Sequence, residues 1–282
     1  MTNPYLPMPM RIEEITVETD DGILKSFLLS FEQQEDRLRF FSRFRPGQFC
    51  QLSIFGKGEA PFGIASGDPK QGIVRFSINK MGVFTRGIHA MQPGQTLGMR
   101  GPLGNWFPVE ERPGANIVIV GGGYAFTTLF ALIQYLTTPS IREQYGKLTV
   151  LYGARHPGLF LYKRETAQWH SREDIAFHQA IDQPVEGWRH HVGLVPRVLR
   201  EIAPSAENSI AFICGPPVMI RFTLPELQEL GFPPERIFTS MERRMKCGIG
   251  KCGRCNIGPA YICTDGPVFS FAELKQLPRY SG

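Results

Sequence analysis

The sequence predicts a β-barrel, then an α/β domain built on a parallel sheet, then a small cysteine-rich C-terminal segment. Three observations predict this order. Short alternating strands with turn signals fill residues 1–112, a strand–helix rhythm fills 113–241, and four of the six cysteines crowd into 242–282. At 282 residues the chain exceeds the roughly 100–200 of a single domain, which agrees with two domains and an appendage.

In the first segment RIEEITVET alternates apolar and polar residues, and ILKSFLLSF follows the turn Asp20-Asp21-Gly22. GQFCQLSI, IVRFSINK and GQTLGMRGP supply further strands, set apart by Pro46-Gly47, Gly67-Asp68-Pro69 and Pro93-Gly94. Alternation buries one face of each strand, and several short strands so spaced predict a sandwich or small barrel. One short helix is expected over Phe84 to Met91, and Cys50 is expected in the core.

In the second segment NIVIV runs into GGGY and the helical FTTLFALIQYL. LTVLYG, IAFHQAI, SIAFIC and RIFTSM read as strands; YKRETAQWH, GLVPRVLREI and MIRFTLPELQEL read as helices. Continuous apolar strands between amphipathic helices predict a parallel sheet covered on both faces. Such sheets take ligands at the carboxyl ends of their strands.

The third segment is too short for a core of its own. Cys247, Cys252, Cys255 and Cys263 are spaced C-x4-C-x2-C-x7-C. Three thiolates from one tight turn plus one further cysteine is the plant-type spacing of a [2Fe–2S] cluster. Gly248, Gly250 and Gly253 permit the backbone to close around a small inorganic core. Arg243, Arg244, Lys246, Lys251 and Arg254 would offset the negative charge of such a centre or face an acidic redox partner. Structural zinc, which also takes four cysteines, is the competing reading.

Two other turns fall at strand ends. Gly121, Gly122 and Gly123 open a helix, where free N–H groups can hold phosphate; such turns also serve tight packing. Cys214, Gly215, Pro216 and Pro217 follow SIAFIC, and there a buried, inert thiol is the plainer reading of Cys214. Where an acid would read a ribose, the chain has Arg155, which suits a 2′-phosphate or a solvated surface equally.

Composition excludes several classes. The 42% hydrophobic and 20% charged fractions are ordinary for a globular protein, and +5 is too diffuse to argue for nucleic acid. No apolar run approaches the ~20 residues of a membrane span, and the N-terminus does not read as a signal peptide. A cytoplasmic, reducing setting is therefore expected, where clustered cysteines bind metal more often than they form disulfides. G-x-S-x-G, H-E-x-x-H and the Walker motif are missing, and the six histidines show no ligand spacing with acids. No catalytic residue is assigned.

The order of PGQF, GEAPFGIAS, MGVFT, RGPLGNWFP, GGGY, CGPPVM and ERRMKCGIGKCGRC resembles the ferredoxin–NADP reductase superfamily. Within it the chain is most similar to flavin- and iron–sulfur-containing electron-transfer subunits: the γ subunit of cytoplasmic NiFe sulfhydrogenases, the corresponding subunit of anaerobic sulfite reductase, and the electron-transfer subunit of dihydroorotate dehydrogenase. The closing YICTDGPVFSFAELK resembles the first two most. The resemblance spans nearly the whole chain. It implies FAD in the barrel, along Pro61, Phe62 and Gly63, with Ile78 and Asn79 in the next strand. Gly82, Val83, Phe84 and Thr85 would wrap the flavin pyrophosphate. NAD(P)H would bind through Gly121 to Gly123, Arg155 and Cys214 to Pro217, and electrons would leave through a [2Fe–2S] cluster. No residue set reduces a terminal substrate, so partners are expected: the catalytic and iron–sulfur subunits of a hydrogenase-like or sulfite-reductase-like complex.

The chain departs from the superfamily pattern at two places. The flavin motif R-x-[YF]-[ST] reads Ala60-Pro61-Phe62-Gly63, so its arginine and hydroxyl are gone. The nucleotide loop G-G-x-G-x-A-P reads Gly122-Gly123-Tyr124-Ala125-Phe126-Thr127-Thr128, so a methyl group stands where a glycine admits pyrophosphate. Retained but altered NAD(P)H binding is the expectation, with Tyr124 and Phe126 shaping or filling the pocket. The alternatives are a relay between protein partners only, and a zinc-stabilised scaffold without redox cofactors.

Overall fold

Alternation in the first segment produces seven strands, seen in a computed structural model that describes residues 3–278. The outermost ends of the first and third segments, residues 1–2 and 279–282, lie outside the described residues. The elements of the first segment are β1 (Met8–Val17), β2 (Leu24–Phe31), α1 (Gln34–Phe41), β3 (Phe49–Ile54), β4 (Gly58–Gly63), β5 (Ser66–Asp68), β6 (Ile73–Asn79), α2 (Val83–His89) and β7 (Thr96–Leu103). The strands pair antiparallel in the order β4-β3-β7-β1-β2-β6-β5 and curl so that β4 approaches β6. Met10, Phe27, Leu52, Val74, Phe76 and Met99 fill the interior, and Cys50 lies among them as its strand position predicts.

Three elements escape the sequence pattern. Helix α1 buries only Asp36 and Phe40, so QEDRLRFF carries no apolar stripe to read. Strand β4 contains Pro61, which a ladder tolerates at its edge, where β4 lies. Strand β5 falls in what reads as the turn Gly67-Asp68-Pro69.

The second segment contributes β8 (Asn116–Gly122), α3 (Phe126–Leu136), α4 (Pro139–Arg142), β9 (Leu148–Ala154), α5 (Lys163–His170), β10 (Ile175–Ile181), β11 (His191–Val192), α6 (Val195–Ile202), β12 (Ser209–Cys214), α7 (Pro217–Glu229) and β13 (Ile237–Ser240). The third adds β14 (Asn256–Ile257), β15 (Ala260–Tyr261), β16 (Val268–Ser270) and α8 (Phe271–Lys275). The second sheet runs β11-β10-β9-β8-β12-β13-β16, parallel except for β16. Apolar layers cover both of its faces, as continuous burial along β8, β9 and β12 requires.

Strand β16 shows how the third segment is held without a core of its own: it completes the preceding sheet. Asn105, from RGPLGNWFP, clamps it to the barrel. Its side chain donates to the carbonyls of Asp265 and Val268 (3.0 and 2.7 Å) and accepts the Val268 N–H (2.8 Å).

A buried chain of hydroxyls joins barrel to sheet. The Glu18 carboxylate accepts from Ser26 Oγ (2.5 Å) and the Tyr162 N–H (2.8 Å). Ser26 has then spent its proton, so Ser77 donates to Ser26 (2.7 Å) and Tyr162 Oη to Ser77 (2.6 Å). Every member is satisfied, which is the condition for such a network to fix an orientation rather than weaken it.

Candidate functional site

Strand β8 is where the second sheet reverses its order of growth, with β9 on one side and β12 on the other. Its register sets Cys214 opposite Gly121, so the GGGY and CGPP turns emerge side by side at the carboxyl edge. Their glycines have a packing reason. A methyl at Gly121 would strike Phe126, and at Gly122 or Gly215 it would strike Met219. Gly123, at φ +55°, has open space where a side chain would project.

Phe126 does not fill the space at the glycine turns. It is fully buried and stacks on Tyr152 at 3.7 Å inside the aromatic core. Tyr124 turns the other way and donates from Oη to the Ser77 carbonyl across the domain junction (2.9 Å). Loss of water, and then the Glu242 carboxylate, push its phenol upward. A cavity of about 100 Å³ remains at the turns, lined by Ala125, Thr128, Cys214, Gly215, Pro217 and Glu242. Burial pushes the Cys214 thiol up to about 12, so it lines the cavity as a neutral group.

Thr128, Ser240, Met241 and Glu242 also line a second cleft, of about 220 Å³, between barrel and sheet. Pro61, Phe62, Gly63, Asn79, Thr85 and Tyr124 form its other walls. Asn79 Oδ1 is shielded from solvent and has no hydrogen-bond partner among the described residues. An unpaired acceptor at such a wall suits a ligand that donates a hydrogen bond. Phe62 stacks on Phe84 at 5.9 Å and lines the cleft. Thr85 Oγ1 closes the MGVFT turn by accepting the N–H groups of Met81 and Gly82 (2.8 and 2.7 Å).

Other predicted residues lie off the cleft. Ile78 points into the barrel core, and its carbonyl pairs with His89 Nε2 (2.8 Å). Val83 is exposed. Arg155 is exposed just past the tip of β9, where Gly153 sits opposite Gly122. Pro216 is exposed beside Gly122.

The cysteine loop lies across β3 from the cleft. Phe49 lines the cleft and also packs in one apolar cluster with Cys255 and Cys263. Gly248, Gly250 and Gly253 adopt φ of 71°, 72° and 70°, and the turns they make aim backbone donors at sulfur. Cys247 Sγ accepts from Lys251 and Cys252 N–H (3.3 and 3.4 Å), and Cys263 Sγ from Gly250 N–H (3.1 Å). Burial would raise the Cys247 thiol, but the N–H groups of Ile249, Cys252 and Lys251 outweigh it and hold it at about 7. Burial, reinforced by the Cys255 thiol, lifts Cys263 to about 12.

Cys252 is the thiol that acts on Cys247, and Cys255 and then Cys247 act on Cys263, so the four thiols neighbour one another. Among the described residues no three His, Cys, Asp or Glu side chains surround a single-ion position. Four neighbouring thiols with backbone donors suit a two-iron core in which each iron takes two thiolates. Cys252 is exposed, as are Arg244, Lys246, Lys251 and Arg254 around it.

Sequence reasoning missed three residues here. Arg100 lies beneath the loop and is 5% exposed. It donates to the Cys247 carbonyl (3.0 Å), the Pro4 carbonyl (3.0 Å) and both Glu59 oxygens (2.7 and 2.6 Å). Its only signal was its place at the head of RGPLGNWFP. Asn105, in the same motif, holds β16. Glu242 is an exposed residue by overall surface, yet it lines both cavities, and loss of water around its carboxyl raises it above the ordinary value.

Residues 119–224 match the oxidoreductase NAD-binding domain family, and residues 242–275 the iron–sulfur cluster binding domain of dihydroorotate dehydrogenase B. The chain is 34% identical to sulfhydrogenase 1 subunit gamma of Pyrococcus furiosus, over 98% of this chain and 94% of the relative. It is 30% identical to the probable dihydroorotate dehydrogenase B (NAD(+)) electron transfer subunit of Methanocaldococcus jannaschii, over 97% and 93%. Among solved structures, the NADH-dependent reduced ferredoxin-NADP oxidoreductase superposes with a TM-score of 0.73 at 22% identity, over 100% of this chain and 97% of the other. A ferredoxin NADP+ reductase from Neisseria gonorrhoeae with bound FAD and NADP gives 0.66 at 19%, over 82% and 96%. The fold is that of the ferredoxin–NADP reductases. No helix among the described residues is long and apolar enough to cross a membrane.

Proposed function

Because the chain belongs to the family of sulfhydrogenase γ subunits and dihydroorotate dehydrogenase electron-transfer subunits, we propose that it is the diaphorase-type subunit of a cytoplasmic redox complex. It passes electrons between NAD(P)H, FAD and a [2Fe–2S] cluster, and onward to a partner catalytic subunit such as a NiFe hydrogenase or sulfite reductase. Residues 1–112 serve the flavin, 113–241 the nucleotide and 242–282 the cluster. When bound, FAD supplies exchange between two-electron and one-electron steps, and the cluster supplies a one-electron carrier.

One observation supports this reading: the cavity at the glycine turns, the cleft between barrel and sheet, and the cysteine loop are contiguous. The nucleotide cavity and the flavin cleft share Thr128, Ser240, Met241 and Glu242, and Phe49 joins the cleft to Cys255 and Cys263. Pro61, Gly63 and Thr128 form the cleft walls, and Asn79 Oδ1 offers an acceptor. Tyr124 and the Glu18–Ser26–Ser77–Tyr162 chain fix the angle at which nucleotide meets flavin. Cys247, Cys252, Cys255 and Cys263 hold the cluster. The exposed cations around Cys252 offer an acidic partner its docking face.

A second reading is favoured by the small volume at the nucleotide turns, where Ala125 narrows the cavity: a relay between protein partners without NAD(P)H. An anaerobic visible spectrum with iron and flavin quantified, before and after NADH or NADPH, separates the readings. Flavin and iron–sulfur bands that bleach with a nucleotide are expected. Bands that stay unmoved favour the relay, and a colourless zinc protein favours a scaffold and overturns both.

A further inference from the structure

Gln51 is fully buried, and neither its amide nitrogen nor its amide oxygen has a hydrogen-bond partner among the described residues. A buried carboxamide left without partners is costly in a finished protein, so its surroundings need explaining.

The register of the barrel places it. On β3, Gln51 stands opposite Pro61 of β4 on one side and Arg100 of β7 on the other. Residues directly opposite in an antiparallel ladder share a face, so Pro61, Gln51 and Arg100 form one row. Pro61 lines the cleft between barrel and sheet. Arg100 donates to the Cys247 carbonyl. Gln51 lies between them, directly beneath the cysteine loop: a methyl built on Gly248 would lie 3.1 Å from its Nε2. Backbone donors already serve Cys247 and Cys263, whereas Gln51 is a side-chain donor beneath the loop with no acceptor.

We propose that the Gln51 carboxamide donates a hydrogen bond to sulfur of the cluster held by Cys247, Cys252, Cys255 and Cys263, and so sets its reduction potential relative to the flavin. The proposal rests on the [2Fe–2S] reading above. Reduction places more negative charge on sulfur, so a donor there favours the reduced form and raises the potential. Gln51 is a positioning and tuning residue, not a catalytic one.

The test is Gln51→Leu in the full chain, with iron content measured and the cluster titrated by EPR-monitored reduction. A lower midpoint potential than wild type is expected, with iron and flavin per chain unchanged. An unshifted potential in an iron-loaded variant overturns the role of Gln51 alone. If the variant fails to load, wild-type protein labelled with ¹⁵N in its glutamine amides decides by pulsed EPR. A nitrogen coupling to the reduced cluster supports the proposal, and its absence overturns it. Zinc in place of iron in the wild type overturns the cluster reading, and this inference with it.

Discussion

Replacing Arg100 by methionine tests whether the barrel holds the cysteine loop. The guanidinium makes four hydrogen bonds: two to Glu59, one to the Pro4 carbonyl and one to the Cys247 carbonyl. Arg100→Met breaks all four and leaves the Glu59 carboxylate without its cation. Orphaning one half of a buried pair costs about 3–5 kcal/mol. The Arg100 side chain is 5% exposed but that of Glu59 is 26% exposed, so water recovers part of the loss. The expected cost is about 3 kcal/mol, at the low end of that range. Urea unfolding measures it, and the rate of iron release to a chelator reports the loop. Adding Glu59→Leu removes the orphaned charge and should return stability to within about 1 kcal/mol of wild type. It cannot restore the donor to Cys247, so iron release should remain fast. A cost below about 1 kcal/mol for the single variant would mean that the pair is already solvated. A double variant that recovers iron retention together with stability would refute the anchoring argument.

Two further outcomes are expected. Burial first, and then Lys25 and Lys80, hold the His89 imidazole below its usual value of 6.5. The unfolded chain therefore gains this proton before the folded one does, and stability is lost as pH falls through 6.5. His89→Gln should flatten the fall in unfolding midpoint between about pH 7 and about pH 5, leaving the share due to His178 and His190, which are lowered likewise; an unchanged slope would exclude His89. Separately, Gly122→Ala meets the Met219 thioether, the far end of a half-buried flexible side chain, and should destabilise by about 1 kcal/mol, the low end for overpacking, but by less in a Met219→Ala background; equal costs in both backgrounds would show that the glycine is needed for another reason.

Much of this molecule is legible one residue after another. Strand alternation, the apolar runs of β8, β9 and β12, and the spacing of the four cysteines are local periodicities, set by where each side chain must point. The elements that escaped carry a weak or contradictory local signal: the polar helix α1, and β4 with Pro61 at a sheet edge. Strand β16 escaped for another reason. Val268 and Phe269 are apolar, but the partner that makes them a strand is β13, and no local pattern names a partner.

The candidate site divides in the same way. The chemistry of the donors is written along the chain: four thiols in a glycine loop, two glycine turns at strand ends, and cations beside Cys252. What lies beside those donors comes from the three-dimensional packing. It placed Gln51 under Gly248, Arg100 on the Cys247 carbonyl, Tyr124 on Ser77, and Phe126 in the core instead of the pocket. The reason is physical. A side chain's direction follows from its own backbone, but its neighbour across a sheet or a domain junction follows from the packing of every strand between them.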